Sequence, residues 1–412
     1  MKKLILTILF CLGATLFAVE PNQFPILGWG VLDYLPEHSK TPEFYEEMKE
    51  CGFTIAGFAS NDAQVAAARQ AGMQVIIWHR DIAAVDFRHP DADAWREKVK
   101  AVVDKYADEP AVWGYYVKDE PELADMEGVA IMCQLIRELA PGKEPYANLY
   151  PPSANPNHWA PLDFEGYVEK AMKEFASKAV GYDQYVFYED GNVRETMQKG
   201  YKVSREKALT TGKEWWYCGL SIAHRTYAVP TFPQLNMAAF SALAYGARGL
   251  AWFTYLDTRM QGWHDAPLNA YGERTPTWWA LKRVNRDIQG LAPILNHLKS
   301  DRVYHFGDTV PGSAERLHGP DGESLISGML LSSHWLIGEF THDETGDRYL
   351  IVVNKDTTHT NEFLPQWRDG KVPAQVNYVF TVFPNRECGI NRKPNDNNIF
   401  EAGAAALLHL HY

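Results

Sequence analysis

The segment Ala111 to Pro121, AVWGYYVKDEP, runs an apolar and aromatic stretch straight into two adjacent carboxylates, Asp119 and Glu120. Pro121 ends any strand there, because it has no backbone N–H to give to a sheet. A buried strand that delivers a carboxylate at its C-terminal end is how an eight-stranded β/α barrel presents a proton-transfer group. Aromatic neighbours desolvate such a carboxyl and raise its pKa, and Asp119 beside it pushes the same way. Glu120 is therefore the candidate proton donor to a leaving oxygen, against the alternative that it only forms a salt bridge or caps the next helix. Cleaving a glycosidic bond also needs a second carboxylate, to attack the anomeric carbon or to activate water. Asp183, in GYDQY, is the candidate for that role, with Glu189, Asp257 and Asp265 as competitors.

These residues need a frame. Between about Asn22 and Leu298 the pattern alternates strand and helix eight times. The strands are expected at Phe24 to Val31, Thr54 to Phe58, Gln74 to Trp78, Val112 to Val117, Pro145 to Tyr150, Ala179 to Tyr185, Trp215 to Ile222 and Gly249 to Tyr255. Helices follow each, with Thr41 and Thr275 as expected N-caps and Gly52 and Gly72 as stops. Strict alternation implies a parallel sheet, and eight units can close it into a (β/α)8 TIM barrel with no edges. An open doubly wound sheet is the rival, but GWGVLDY after the first strand lacks its glycine-rich phosphate turn. After Asp301 the character changes. HDETGD reads as a hairpin turn around Gly346. Val376, Tyr378, Phe380 and Val382 alternate along one strand, and Ala406, Leu408, Leu410 and Tyr412 along another. The expected organisation is a signal segment at 1–18, a barrel at 19–300, and a small antiparallel β-sandwich-like domain at 301–412, with His409 and His411 facing outward.

The strand ends of such a barrel carry its site. Substrate-binding candidates there are Trp29, Trp78, His79, Tyr116, Asp119, Asn148, Tyr185, His224, Tyr255 and Trp263. Acids, amides and aromatics dominate, and Arg80 and Arg225 are the fixed cations. That set suits a neutral polyhydroxylated ligand better than a phosphate. The chain holds 13 Trp, and indoles stack on the apolar faces of sugars as well as filling cores. Trp252, inside a strand, and Trp113, Trp278 and Trp279 read as packing. There is no HExxH and no paired-Cys motif, so no metal or other cofactor is expected.

The first residues, MKKLILTILFCLGATLFA, have the charged start, short apolar run and small final residue of a secretion signal. Loss of Lys2 and Lys3 with it would take the net charge from −12 to −14. Such an acidic surface argues against nucleic acid or anionic membranes as partners. No later segment reads as membrane-spanning, and the expected location is the periplasm or beyond. Four scattered cysteines would remain, Cys51, Cys133, Cys218 and Cys388, expected mostly as buried thiols. The sequence does not specify an oligomeric state.

Three segments resemble bacterial glycoside hydrolases of the β-galactosidase-type barrel, clan A. They are YADEPAVWGYYVKDEP at strand four, GYDQY at strand six and YGARGLAWFTY at strand eight. The resemblance implies that Glu120 is the acid/base and that Asp119, where the clan has Asn, contacts the sugar 2-hydroxyl. The clan's nucleophile is a Glu at the end of strand seven, where this chain has WYCGLSIAHRTY and no carboxylate. Two readings follow. One is a secreted glycosidase acting on poly- or oligosaccharide, with the second acid moved to another strand or the mechanism changed to inversion. The other is a carbohydrate-binding barrel that has lost catalysis. A barrel of aldolase or sugar-phosphate type is disfavoured, because no Schiff-base lysine stands at a strand end.

Overall fold

The computed structural model describes residues 23–30, 32–35, 37–258, 260–331, 334–379, 390–392 and 399–412. The signal segment, Cys11, Cys388, Phe380 and Val382 lie outside these. Eight parallel strands close on themselves: β1 Ile26–Trp29, β2 Ile55–Ala59, β3 Gln74–Ile77, β4 Val112–Asp119, β5 Glu144–Leu149, β6 Ala179–Asp183, β7 Glu214–Leu220 and β8 Gly249–Phe253. Closure comes from β1 pairing with β8, Leu27 opposite Ala251 and Gly28 opposite Trp252. The expected TIM barrel is the observed one.

Each strand is buried on both faces, so it reads as a nearly continuous apolar run whose alternation divides two cores. Leu27, Ile76, Tyr146, Trp216, Cys218 and Ala251 fill the barrel. Their neighbours, among them Val75, Tyr217, Leu250 and Trp252, face the helices. Trp252 is packing as expected, its Nε1 donating to Asn285 Oδ1 at 2.9 Å.

The outer layer is α1 Pro42–Glu50, α2 Asp62–Ala71, α3 Ala92–Lys105, α4 Met126–Leu139, α5 Phe164–Glu174, α6 Met197–Thr211, α7 Phe232–Ala244 and α8 Pro276–Leu295. Asn61, Asp91 and Asp163 cap their helices by accepting from backbone N–H groups. Thr41 and Thr275 occupy N-cap positions without doing so. Their hydroxyls donate backward instead, to His38 O and Ala266 O, which ties the incoming loop rather than the helix. No helix among the described residues is long and apolar enough to cross a membrane.

After α8 comes a six-stranded antiparallel sheet: β9 Leu298–Phe306, β10 Trp335–His342, β11 Arg348–Asn354, β12 Gln375–Val379, β13 Ile390–Arg392 and β14 Ala405–His411, in the order β9-β10-β11-β14-β12-β13. Alternate residues again split. Leu336, Ile351, Val353 and Leu407 join the barrel-side core, while Trp335, Ile337, Leu350, Val352 and Leu408 form a second core. That far face also holds Phe363 and Phe400, and the sheet is accompanied by two-stranded ribbons, Ile326–Met329 with Pro365–Trp367 and Asn361–Glu362 with Ile399–Phe400. Among the described residues the second layer is made of these ribbons. The near face lies on α7. Gly338 permits this contact, since a Cβ there would stand 2.3 Å from Ala244 O. Asn236 on α7 donates to Gly403 O at 2.8 Å.

Candidate active site

β4 is the longest strand of the barrel, and it ends by turning Glu120 out of the ladder. Glu120 has φ +45°, in the left-handed region that disfavours a side chain. Such a conformation costs about 1–3 kcal/mol and persists only when its surroundings enforce it. Two bonds do so here. Glu120 N donates to Asn148 O on β5 at 2.7 Å. Tyr167 on α5 donates its hydroxyl to Pro121 O at 2.7 Å, fixing the residue that stops the strand.

The mouth of the barrel holds a cavity of about 320 Å³ with two dissimilar walls. One is acidic: Asp119 and Glu120 from β4, Asn148 from β5 and Asp183 from β6. Asn148 is buried, and its Nδ2 donates both to Asp119 Oδ1 at 3.4 Å and to Asp183 Oδ1 at 3.3 Å. Glu120 and Asp183 are within side-chain hydrogen-bonding reach of each other. Asp119 lines the cavity and is exposed to it. Burial pushes Asp119 up to about 6, with Asn148 opposing. Burial, then the charge of Asp119, pushes Glu120 up to about 7, partly offset by the bond to Asp183. Asp183 is displaced well above the usual carboxylate range, first by burial and then by Glu120 and Asp119. Glu120 is therefore a carboxyl that still carries a proton near neutrality and opens onto a cavity, as a general acid requires.

The other wall is aromatic and comes from β1, β7, β8 and the loops beyond them: Trp29, Cys218, His224, Arg225, Phe253 and Trp263. Tyr185 closes the side between the walls, stacked at a tilt on Phe253 with ring centres 5.8 Å apart. A two-rung antiparallel ribbon, Ala223–His224 with Trp263–His264, joins the loops after β7 and β8. It sets the Trp263 indole edge-on to the His224 ring at 4.0 Å. Burial, helped by Arg225, lowers His224 to about 4, so it is a neutral ring at ordinary pH. Burial also raises the Cys218 thiol, which makes it a poor nucleophile.

Of the residues expected to bind or react, the cavity brings together Trp29, Asp119, Glu120, Asn148, Asp183, Tyr185, His224 and Trp263. Asp183 stands in the same acidic wall as Glu120, on β6, and is joined to Asp119 through Asn148. Its competitors do not replace it, since Glu189, Asp257 and Asp265 are not in the lining. Tyr255 is misplaced by the sequence reading. β8 ends at Phe253, and the Tyr255 ring packs outside the barrel against Phe44 and Phe53, accepting from Trp278 Nε1 at 3.3 Å. Tyr116 lies beneath the site, its ring against Phe58 at 4.4 Å and edge-on to Trp29 at 5.9 Å. Trp78 is 40% exposed on the rim, and His79 caps the short turn Arg80–Ala83 by accepting from Asp81 N. Neither reaches the cavity lining. Trp279, read as packing, is 56% exposed against Trp278. Cys51, Cys133 and Cys218 are buried free thiols.

Phe253, Cys218 and Arg225 line the cavity without having been singled out as binders. The phase of β8 carried the signal for Phe253, because an outward Trp252 forces its neighbour inward. Arg225 is displayed by a loop residue with φ +58°, which no periodicity announces. Among the described residues no group of three or more His, Cys, Asp and Glu side chains could hold a metal ion.

No protein-family model matches the chain, and no curated protein does. Solved structures do resemble it. A glycoside hydrolase family 5 protein from Bacteroides vulgatus ATCC 8482 matches with TM-score 0.56 and 11% identity, covering 94% of this chain and 89% of that one. A structure described as a glycoside hydrolase gives TM-score 0.54 and 14% identity over 94% and 92%. The cold-adapted β-galactosidase from Rahnella sp. R3 gives 0.52 and 11% over 69% of this chain, which spans only 58% of that enzyme. At these identities what is shared is the fold: a TIM barrel of the kind glycoside hydrolases use.

Proposed function

We propose that this protein is an exported glycoside hydrolase in which Glu120 protonates the leaving oxygen. The observation that carries the reading is Glu120 itself. It is a strained strand-end carboxyl, raised to about 7 by burial and by Asp119, opening onto a cavity walled on the far side by aromatic rings. That wall offers flat apolar faces to a sugar and no cluster of cations to a phosphate. The resemblance to glycoside hydrolase barrels, weak in sequence and broad in fold, agrees with it. The apolar leader supports export.

Replacing Glu120 by Gln is expected to lower turnover of a cleaved glycan or aryl glycoside by about 10²–10⁴-fold, as loss of a positioned general acid does. Circular dichroism should remain unchanged. Retention of most activity would refute the assignment. The second reading, a binding protein without catalysis, is favoured by the absence of any carboxylate in the aromatic wall. Calorimetric saccharide binding with no cleavage across a broad glycan panel would establish it.

A further inference from the structure

The three carboxyls in the lining, Asp119, Glu120 and Asp183, stand on β4 and β6 and are tied together through Asn148 on β5. A glycosidase that uses two carboxylates needs one on each side of the anomeric carbon, about 5–5.5 Å apart for retention and about 6.5–9.5 Å for inversion. Glu120 and Asp183 stand on the same side of the cavity, within side-chain hydrogen-bonding reach. Among the described residues that line the facing wall, none is a carboxylate, and its one thiol is buried with a raised pKa. Among the described residues that line the cavity, the protein therefore supplies an acid and no carboxylate opposite it.

A substrate can bring that group itself. We infer that the site cleaves glycosides of 2-acetamido sugars, with the substrate's amide oxygen as nucleophile, Glu120 as acid and base, and Asp119 as the carboxylate that holds the amide N–H. The inference rests on the reading of Glu120 as proton donor. Substrate assistance of this kind is an established alternative to the two-carboxylate scheme. It asks for an acid with a second carboxylate near it, which is the arrangement Asp119 and Glu120 provide. Asp119 is exposed to the cavity and accepts from Asn148 at only one oxygen, Oδ1, so Oδ2 can accept a further hydrogen bond. The aromatic wall of Trp29, Phe253 and Trp263 offers an apolar place for the acetamido methyl.

The electrons balance without any further reactant than water. The amide oxygen bonds to C1 as the C1–O bond to the leaving group breaks. The bond's electron pair goes to the leaving oxygen, which takes the Glu120 proton. The positive charge left on the oxazolinium ring faces the Asp119 carboxylate, to which its N–H is bonded. Water then bonds to C1 and gives its proton to Glu120. The C1–O bond to the amide breaks, and its electrons return to the acetamido group. Asp183, buried beside Glu120 in the same wall, is held well above the usual carboxylate range by burial and by Glu120 and Asp119.

The test compares β-linked 4-nitrophenyl 2-acetamido-2-deoxyhexosides of gluco and galacto configuration, whose amide lies trans to the leaving group, with their 2-hydroxy counterparts on the full chain. The 2-acetamido sugars are expected to be cleaved at least 100-fold faster by kcat/KM. Replacing the acetamido methyl by trifluoromethyl, which weakens the amide oxygen as a nucleophile, should lower kcat at least tenfold. Asp119→Asn should cost about 100-fold on the acetamido substrate, and a thiazoline analogue of the cyclic intermediate should inhibit competitively. Cleavage of 2-hydroxy sugars at equal or greater rate overturns the inference and leaves Glu120 as proton donor standing. Indifference of kcat to fluorination also overturns it. Cleavage of neither class overturns the inference and the hydrolase reading together.

Discussion

Burial makes the acidic wall costly to ionise, and this has a thermodynamic signature. The carboxyl of Glu120 rises from an ordinary 4.5 to about 7 on folding. A group raised in this way contributes stability that is complete below its unfolded pKa and is lost as pH climbs through its folded one. Glu120→Gln removes that titration. The melting temperature of the variant relative to the native chain is therefore expected to be a few degrees higher at pH 8 than at pH 5. Thermal denaturation followed by circular dichroism at the two pH values checks this, and an identical offset at both would contradict it. The motif that marks Glu120 was legible because three local signals coincide: an apolar strand, paired carboxylates, and a proline that stops the ladder. The contact of Glu120 with Asp183 was not. It depends on how far the ends of β4 and β6 lean together across β5, which is a matter of register rather than residue type.

The strands meet at the site through small residues as much as through functional ones. Gly181 on β6 lies where a Cβ would stand 2.8 Å from both Asn148 Oδ1 and Tyr146 OH. Its lack of a side chain is what lets Asn148 lie across β6 and bridge two carboxylates. Overpacking a barrel interior costs about 1–3 kcal/mol. Gly181→Ala is thus expected to lower the melting temperature by a few degrees and, by moving Asn148, to lower turnover at least tenfold. A variant with native turnover would show that Asn148 does not position the acids. The eight β/α units were readable from alternation, whose period changes with element type. What failed was the fate of strand ends. β8 stops two residues before the expected limit. The Thr254 hydroxyl donates to Trp29 O, the chain turns, and Tyr255 enters the helix layer instead of the mouth. The apolar character of Tyr255 fits either place, so pattern alone does not choose.

Across the whole molecule, barrel and C-terminal sheet share buried polar groups as well as apolar ones. Tyr245 OH bonds His305 Nε2 at 2.8 Å, and His305 Nδ1 lies 3.3 Å from Lys355 Nζ, all three side chains buried. Burial lowers Lys355 from 10.5 to about 7, with Asp308 opposing. A base depressed on folding contributes stability that is present above its unfolded pKa and lost as pH falls through its folded one. Lys355→Met is accordingly expected to gain in melting temperature, relative to the native chain, by a few degrees more at pH 6 than at pH 9. Calorimetric scans at both values decide it, and a constant difference would mean that Lys355 keeps its charge when folded. The antiparallel character of the C-terminal region was evident from period-two alternation. Its apposition to α7 was not, because that contact relies on the missing side chain of Gly338 meeting a main-chain carbonyl.

The ribbon that joins the loops after β7 and β8 has a mechanical corollary. Trp263 and His224 face each other on its rungs, so the indole and the imidazole form one hinged panel instead of two independent flaps. A guest that parts the two rings must break main-chain pairing, whereas one that slides along them leaves both in place. Ligands short enough to sit inside the panel should therefore associate without the delay that longer chains would incur.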